Sequence, residues 1–160
     1  MLHLLVKWGK LCARCRQKLE IRRCRRRVEQ ALQLDRRGGV RNDGLKLENS
    51  RQSMQIQWRA RPIHPWDRDL PHEKHSTLLA EQSLVDTEAA ICRLFERLPQ
   101  VDEIDLTVLD PDSENAIMAG RVQRSALEKP HRLLSVRMRL RELGIHFRLV
   151  GSSFEPLSLE

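Results

Sequence analysis

The sequence predicts an α+β domain. A long N-terminal helix precedes two β-hairpin–helix units and a final strand, and the strands form a mixed five-stranded sheet with helices on one face. Three observations predict this. Two stretches alternate with period two: Met54, Ile56, Trp58 and Ala60 against Gln55, Gln57, Arg59 and Arg61, and later Ile104, Leu106 and Val108 on one side of a strand. Each hairpin is followed by an apolar stripe at helical spacing. Leu, Ile, Val and Phe make up about 28% of the 160 residues, above the roughly 20% that marks disorder. No run of about 18 apolar residues exists, so no spanning helix is expected.

The elements follow in order. Residues 2–36 read as helix, with no Pro and a basic last turn at Arg36-Arg37 before Gly38-Gly39. Leu4, Trp8, Leu11, Cys15 and Leu19 share one face, whereas Ile21, Cys24, Val28, Ala31 and Leu32 share another, rotated by more than about 90°. Either the helix breaks near Glu20 or its halves face different partners. Residues 45–61 read as a hairpin turning at 49–53, followed by a loop with Pro62, Pro65 and Pro71. A second helix over 73–98 carries Leu84, Val85, Ile91, Cys92, Phe95 and Leu98 and stops before Pro99. The second hairpin pairs 104–108 with 116–123 across a turn at 110–115. A third helix, about 131–143, carries Leu133, Val136, Leu140 and Leu143, closes at Gly144 and crosses over to a fifth strand, Ile145 to Val150.

Charge divides the chain. Residues 1–41 hold 13 Lys/Arg against 3 Asp/Glu, and residues 42–160 hold 16 against 19. The expected organisation is a basic N-terminal helix (1–41), an α/β core domain (42–151) that folds without it, and a C-terminal tail (152–160) in loop conformation. Arginine outnumbers lysine 23 to 6. The planar fork of arginine suits phosphate and carboxylate.

The basic helix places Arg22, Arg23, Arg25, Arg26 and Arg27 in six positions, an electrostatic footprint for a polyphosphate. Three partners compete for it. One is nucleic acid or another polyanion. Another is an anionic membrane surface, reached through Leu2, Leu4, Leu5, Val6 and Trp8. The third is a protein partner, or the acidic segment 99–115 of the same chain, with Asp102, Glu103, Asp105, Asp110, Asp112 and Glu114. A polar sheet face with Gln55, Gln57, Arg59, Arg61, Arg121, Gln123, His146 and Arg148 extends the expected polyanion surface, with Arg59, Arg61 and Arg121 as its binding residues. That face carries no Phe or Trp, which disfavours base stacking.

Other constellations are weaker. His64, Asp67, Asp69, His72, Glu73 and His75 offer six metal-ligand types in twelve residues, without an established spacing. The same Asp residues could instead cap the following helix. Glu81 and Glu88, with Asp105, make an acidic hydrolase site conceivable. At the level of element order the chain is analogous to restriction-endonuclease-like nucleases. Those need an acidic residue and a Lys on the strand that here reads Ile117-Met118-Ala119-Gly120-Arg121. The competing reading bridges both Glu residues to Arg59, Arg61 or Arg121. Cys12, Cys15 and Cys24 form at most half a zinc motif and read better as small apolar residues in a helix interface. The four cysteines read as reduced thiols, and the short apolar run at the N-terminus lacks signal-peptide features, so a cytoplasmic protein is expected. No Gly-rich phosphate loop, nucleophile elbow or dinucleotide fingerprint occurs, and no cofactor is implied. The leading expectation is a non-enzymatic module that binds a polyanion through its basic helix. A divalent-metal hydrolase or degenerate nuclease-like domain, and a protein-interaction adaptor, are the alternatives.

Overall fold

Trp58, Ile56 and Met54 point to one side of a strand whose other residues are polar, and the sheet is organised around that division. The computed structural model describes residues 22–32, 41–49, 52–67, 69–128 and 135–158. They form α1 (22–32), β1 (Arg41–Asn49), β2 (Ser53–Arg59), α2 (His72–Arg97), β3 (Glu103–Leu109), β4 (Ala116–Gln123), α3 (Val136–Glu142), β5 (Ile145–His146), β6 (Arg148–Val150) and β7 (Ser153–Glu155). Short 3₁₀ turns lie at Pro65–Asp67 and Arg124–Glu128.

The α+β class and the mixed five-stranded sheet are as expected, with strand order β1-β2-β3-β4-β5. The parallel pair is placed differently. β2 and β3 run parallel, joined by α2, while β5 lies antiparallel to β4. A parallel pair needs a long crossover, and α2, with 26 residues, supplies it. β5 is short: it ends at His146, and buried Phe147 leads out of the sheet. The residues expected to continue that strand form β6, which pairs with β7. The tail is therefore not a loop throughout. Gly151, at φ +60°, makes the hairpin turn, Phe154 meets Phe147 edge-on at 6.3 Å, and Leu157 N–H donates to the Ala116 carbonyl at 2.8 Å.

One core cluster joins the inward strand residues to all three helices. It includes Val28, Ala31 and Leu32 of α1, Leu84, Ile91, Leu94 and Phe95 of α2, and Leu140 of α3. The helices therefore cover one face of the sheet, and the other face is open. The buried side of α2 runs through Ala80, Ser83, Leu84, Thr87, Ala90 and Ile91, while Val85 and Cys92 are exposed. Four of the six expected stripe residues, Leu84, Ile91, Phe95 and Leu98, are buried, and small residues complete that side. α3 begins later than expected: Ser135 is its N-cap and accepts a hydrogen bond from Met138 N–H at 3.4 Å. The expected helix over 2–21 and 33–36, its end at Gly38-Gly39, its break near Glu20 and the stripe position Leu133 lie outside the described residues. No described helix is long and apolar enough to cross a membrane.

Close approach fixes β5 against β4. A Cβ on Gly120 would lie 2.1 Å from the Gly144 carbonyl oxygen. Gly144 itself ends α3 at φ +91°, a conformation that favours glycine.

Candidate polyanion-binding surface

α1 is two-sided. Cys24, Val28, Ala31 and Leu32 are buried, whereas Arg22, Arg23, Arg25, Arg26 and Arg27 are all exposed. At about 100° per residue, Arg22, Arg26, Arg23 and Arg27 fan over an arc of roughly 140° opposite the buried side. Arg25 lies beyond that arc, where its Nε donates to Glu29 at 3.0 Å. The helix is also fastened from α2. Arg93 Nε donates to the Ala31 carbonyl at 2.6 Å, and Arg97 Nη1 to Gln30 Oε1 at 3.4 Å. Burial pushes the Cys24 thiol up, and the Arg27 charge opposes that rise.

The sheet arginines behave differently. The register places Gln55, Asp105 and Arg121 in one row of the open face, and Gln57, Thr107, Ala119 and His146 in the next. Arg121 stands between two carboxylates, 3.5 Å from Glu103 and 3.7 Å from Asp105. Arg59 and Arg61, expected on the same surface, are not there. Arg59 is 7% exposed, and its guanidinium runs under the β3–β4 turn. It donates there to the Asp110 carbonyl at 2.9 Å, to the Ser113 carbonyl and to the Glu114 carboxylate. Arg61 lies past the end of β2 and donates to Asp86 of α2 at 3.0 and 3.4 Å. Arg148 lies on β6 and pairs with Glu155 at 3.2 Å. Strand alternation could not reveal this, because it gives a side and not a partner. The open face carries no Phe or Trp among the described residues, and its groove of about 230 Å³ mixes Lys46 with Glu48 and Asp105.

The acidic segment also finds partners outside α1. Glu114 meets Arg59, Glu103 and Asp105 meet Arg121, and Asp102 lies 3.9 Å from Arg124. The expected carboxylate site does not assemble. Glu81 is exposed on α2, and Glu88 binds Arg139 of α3 at 2.5 and 2.8 Å. Asp105 lies on the opposite face of the sheet. The expectation of ion-paired glutamates holds in kind for Glu88, but its partner is neither Arg59, Arg61 nor Arg121.

The histidine–acid loop does not gather ligands. His64 Nδ1 accepts from Trp66 N–H at 3.3 Å, and the two rings meet edge-on. Asp67 and Asp69 do not cap α2, whose N-cap is Pro71 with no side-chain hydrogen bond. Among the described residues no three His, Cys, Asp or Glu side chains come together as a metal ion would need. Cys12 and Cys15 lie outside the described residues, and Cys24 packs in the core as a small apolar residue.

Sequence reasoning missed Arg124. Its guanidinium donates to the carbonyls of Phe95, Leu98 and Val101 and lies 4.9 Å from the centre of the Phe95 ring. No pattern in the sequence points from position 124 to a helix end about 30 residues earlier. Compared with protein-family models, with curated proteins and with solved structures, the chain matches none of them.

Proposed function

We propose that the protein is a non-enzymatic binding module that grips a polyanion with α1, in the first place the phosphate backbone of a nucleic acid. One observation carries this reading. Five arginines stand exposed on a helix whose other side is packed in the core, so the charges sit on a rigid support. Preorganised guanidinium groups lose less freedom on binding than those of a floppy basic tail. The exposed Arg97, beside Gln30, extends the same surface. Arg59 and Arg61 are left out of it, and Arg121 contributes little because Glu103 and Asp105 flank it. We place the protein in the cytoplasm, a reading supported by its cysteine content, four in 160 residues, which is too sparse for a disulfide scaffold.

The test is binding of a labelled 20-base-pair duplex, followed by fluorescence anisotropy across a salt series. Substituting Arg22, Arg23, Arg25, Arg26 and Arg27 with Gln leaves the buried side of α1 intact, which a thermal melt checks. Two to four phosphate contacts should be lost, and each lowers the slope of log K against log salt by about 0.9. The loss should be independent of base sequence, because phosphate contacts position without specifying. Wild-type protein that fails to bind duplex or single strands at about 50 mM salt would end this reading.

A further inference from the structure

A second basic feature lies away from α1. The C-terminal end of α3, β5, β6 and residues 156–158 enclose a cleft of about 570 Å³. That volume falls in the range of pockets that hold small organic ligands, roughly 300–1,000 Å³. Arg141, His146 and Arg148 line it, no acidic side chain does among the described residues, and Pro156 and Leu157 form an apolar wall.

We propose that this cleft binds a phosphomonoester carried on a small organic body, with Arg141, His146 and Arg148 holding the phosphate. The supporting groups are fixed from below. Phe147 is buried and held edge-on by Phe154. The Arg141 guanidinium lies 5.2 Å from the centre of the Phe147 ring. A guanidinium held over a ring by cation–π attraction keeps N–H donors that an oxyanion can take up. Arg148 is steered by Glu155, its register partner on β7, through one nitrogen of the fork. Both groups of that pair are substantially exposed, so the tie is weak and does not cancel the positive charge toward the cleft. His146 is paired across the sheet with Ala119, whose small side chain leaves the imidazole uncovered.

Charge and donor number select the ligand class. A phosphomonoester carries about −1.5 to −2 near neutral pH and offers three acceptor oxygens. Two guanidinium forks and an imidazole match that, whereas a carboxylate would leave one fork without a partner. The volume exceeds what a bare anion fills, and the Pro156–Leu157 wall suits an apolar or flat body. This site shares no residue with the α1 surface, and neither reading rests on the other.

The experiment is isothermal titration calorimetry on the full chain with adenosine 5′-monophosphate, inorganic phosphate and adenosine. The monophosphate should bind saturably, inorganic phosphate more weakly, and adenosine not at all. Arg141→Gln and Arg148→Gln should each weaken the monophosphate by about tenfold or more, the cost of one charge-assisted contact. The five-glutamine α1 variant should bind it as wild type does. Arg148 and His146 are exposed, so Arg148→Gln and His146→Gln decide the matter if Arg141→Gln fails to fold. Equal binding of adenosine and its monophosphate, or no saturable binding of either phosphate at millimolar concentration, overturns the proposal. So does monophosphate binding that is indifferent to Arg148→Gln and His146→Gln. Inorganic phosphate binding as tightly as the monophosphate overturns the organic-body half of it.

Discussion

Replacing Arg124 with Ala should destabilise the fold through the end of α2. The last four carbonyls of a helix have no partner inside it, and they carry the negative end of its dipole. Here Arg124 answers one of them, Phe95 O through Nη1 at 3.1 Å, and the carbonyls just past the helix, Leu98 O through Nη2 at 2.7 Å and Val101 O through Nε and Nη2 at 3.1 and 2.6 Å. Phe95, Leu98 and Val101 are all buried, so the truncated protein cannot easily replace the guanidinium with water. A hydrogen bond to a charged group contributes about 1.5–3 kcal/mol, but four bonds on one fork do not add. The side chain is also 31% exposed, so part of its hydration survives folding. The expected cost is about 2–4 kcal/mol, within the range of a broken buried network. Arg124→Lys should recover half of it or less, since an ammonium cannot reach three carbonyls from one fork position. Urea unfolding followed by Trp fluorescence measures both. A loss below about 0.5 kcal/mol for Arg124→Ala, the level of an ordinary surface change, would refute the argument.

Four further outcomes are expected. Trp58→Ala should cost about 3–5 kcal/mol and Trp66→Ala less than about 0.5 in the same urea experiment, because the first is 2% exposed and the second 89%. Gly120→Ala should lower the melting temperature sharply, since its Cβ would meet the Gly144 carbonyl oxygen, and Gly151→Ala much less, since nothing lies within 4 Å there and only the φ of +60° opposes it. Deleting residues 1–41 removes Cys24, Val28, Ala31 and Leu32 from the core cluster, so residues 42–160 should melt earlier and less cooperatively in calorimetry. In the folded protein a thiol-alkylating reagent should modify exposed Cys92 before buried Cys24. The folded-state values of both thiols are raised, so the stability they contribute holds below the ordinary thiol range and falls as pH rises through it; mass spectrometry of peptides reads the order of labelling.

Period-two alternation located β2 and β3 because their inward residues, Met54, Ile56, Trp58, Ile104, Leu106 and Val108, are large and apolar. It could not show which strands run parallel. Strand direction depends on where a crossover lands, which is a property of chain path and not of side-chain pattern. The α2 stripe was legible at Leu84, Ile91, Phe95 and Leu98 but incomplete for a related reason: Ala80, Ser83, Thr87 and Ala90 are buried too, and small or hydroxylated residues carry little hydropathy signal. The site divided in the same way. Exposure of the α1 arginines was legible, since Cys24, Val28, Ala31 and Leu32 mark the opposite side at helical spacing. The fates of Arg59, Arg61 and Arg124 were not, because their partners lie 23 to 55 residues away in sequence.

Arginine in this chain does two jobs, and charge arithmetic separates them. Within 42–160, acidic residues outnumber basic ones by 19 to 16, and the guanidinium groups of Arg59, Arg61, Arg121 and Arg139 each meet a carboxylate there. Such arginines are consumed by folding and offer a passing anion little. Within 1–41 only three carboxylates face 13 cations. However internal pairs are drawn, at least seven cationic side chains exceed what the chain's own carboxylates can neutralise, because the net charge is +7. That excess is met in solution by mobile counterions, and a polyanion that displaces them gains their release as binding free energy. The gain is largest where the cations are dense and held still, and α1 meets both conditions. The same arithmetic explains why a basic residue on the open sheet face is a poor guide to binding in this protein, while one on α1 is a good one.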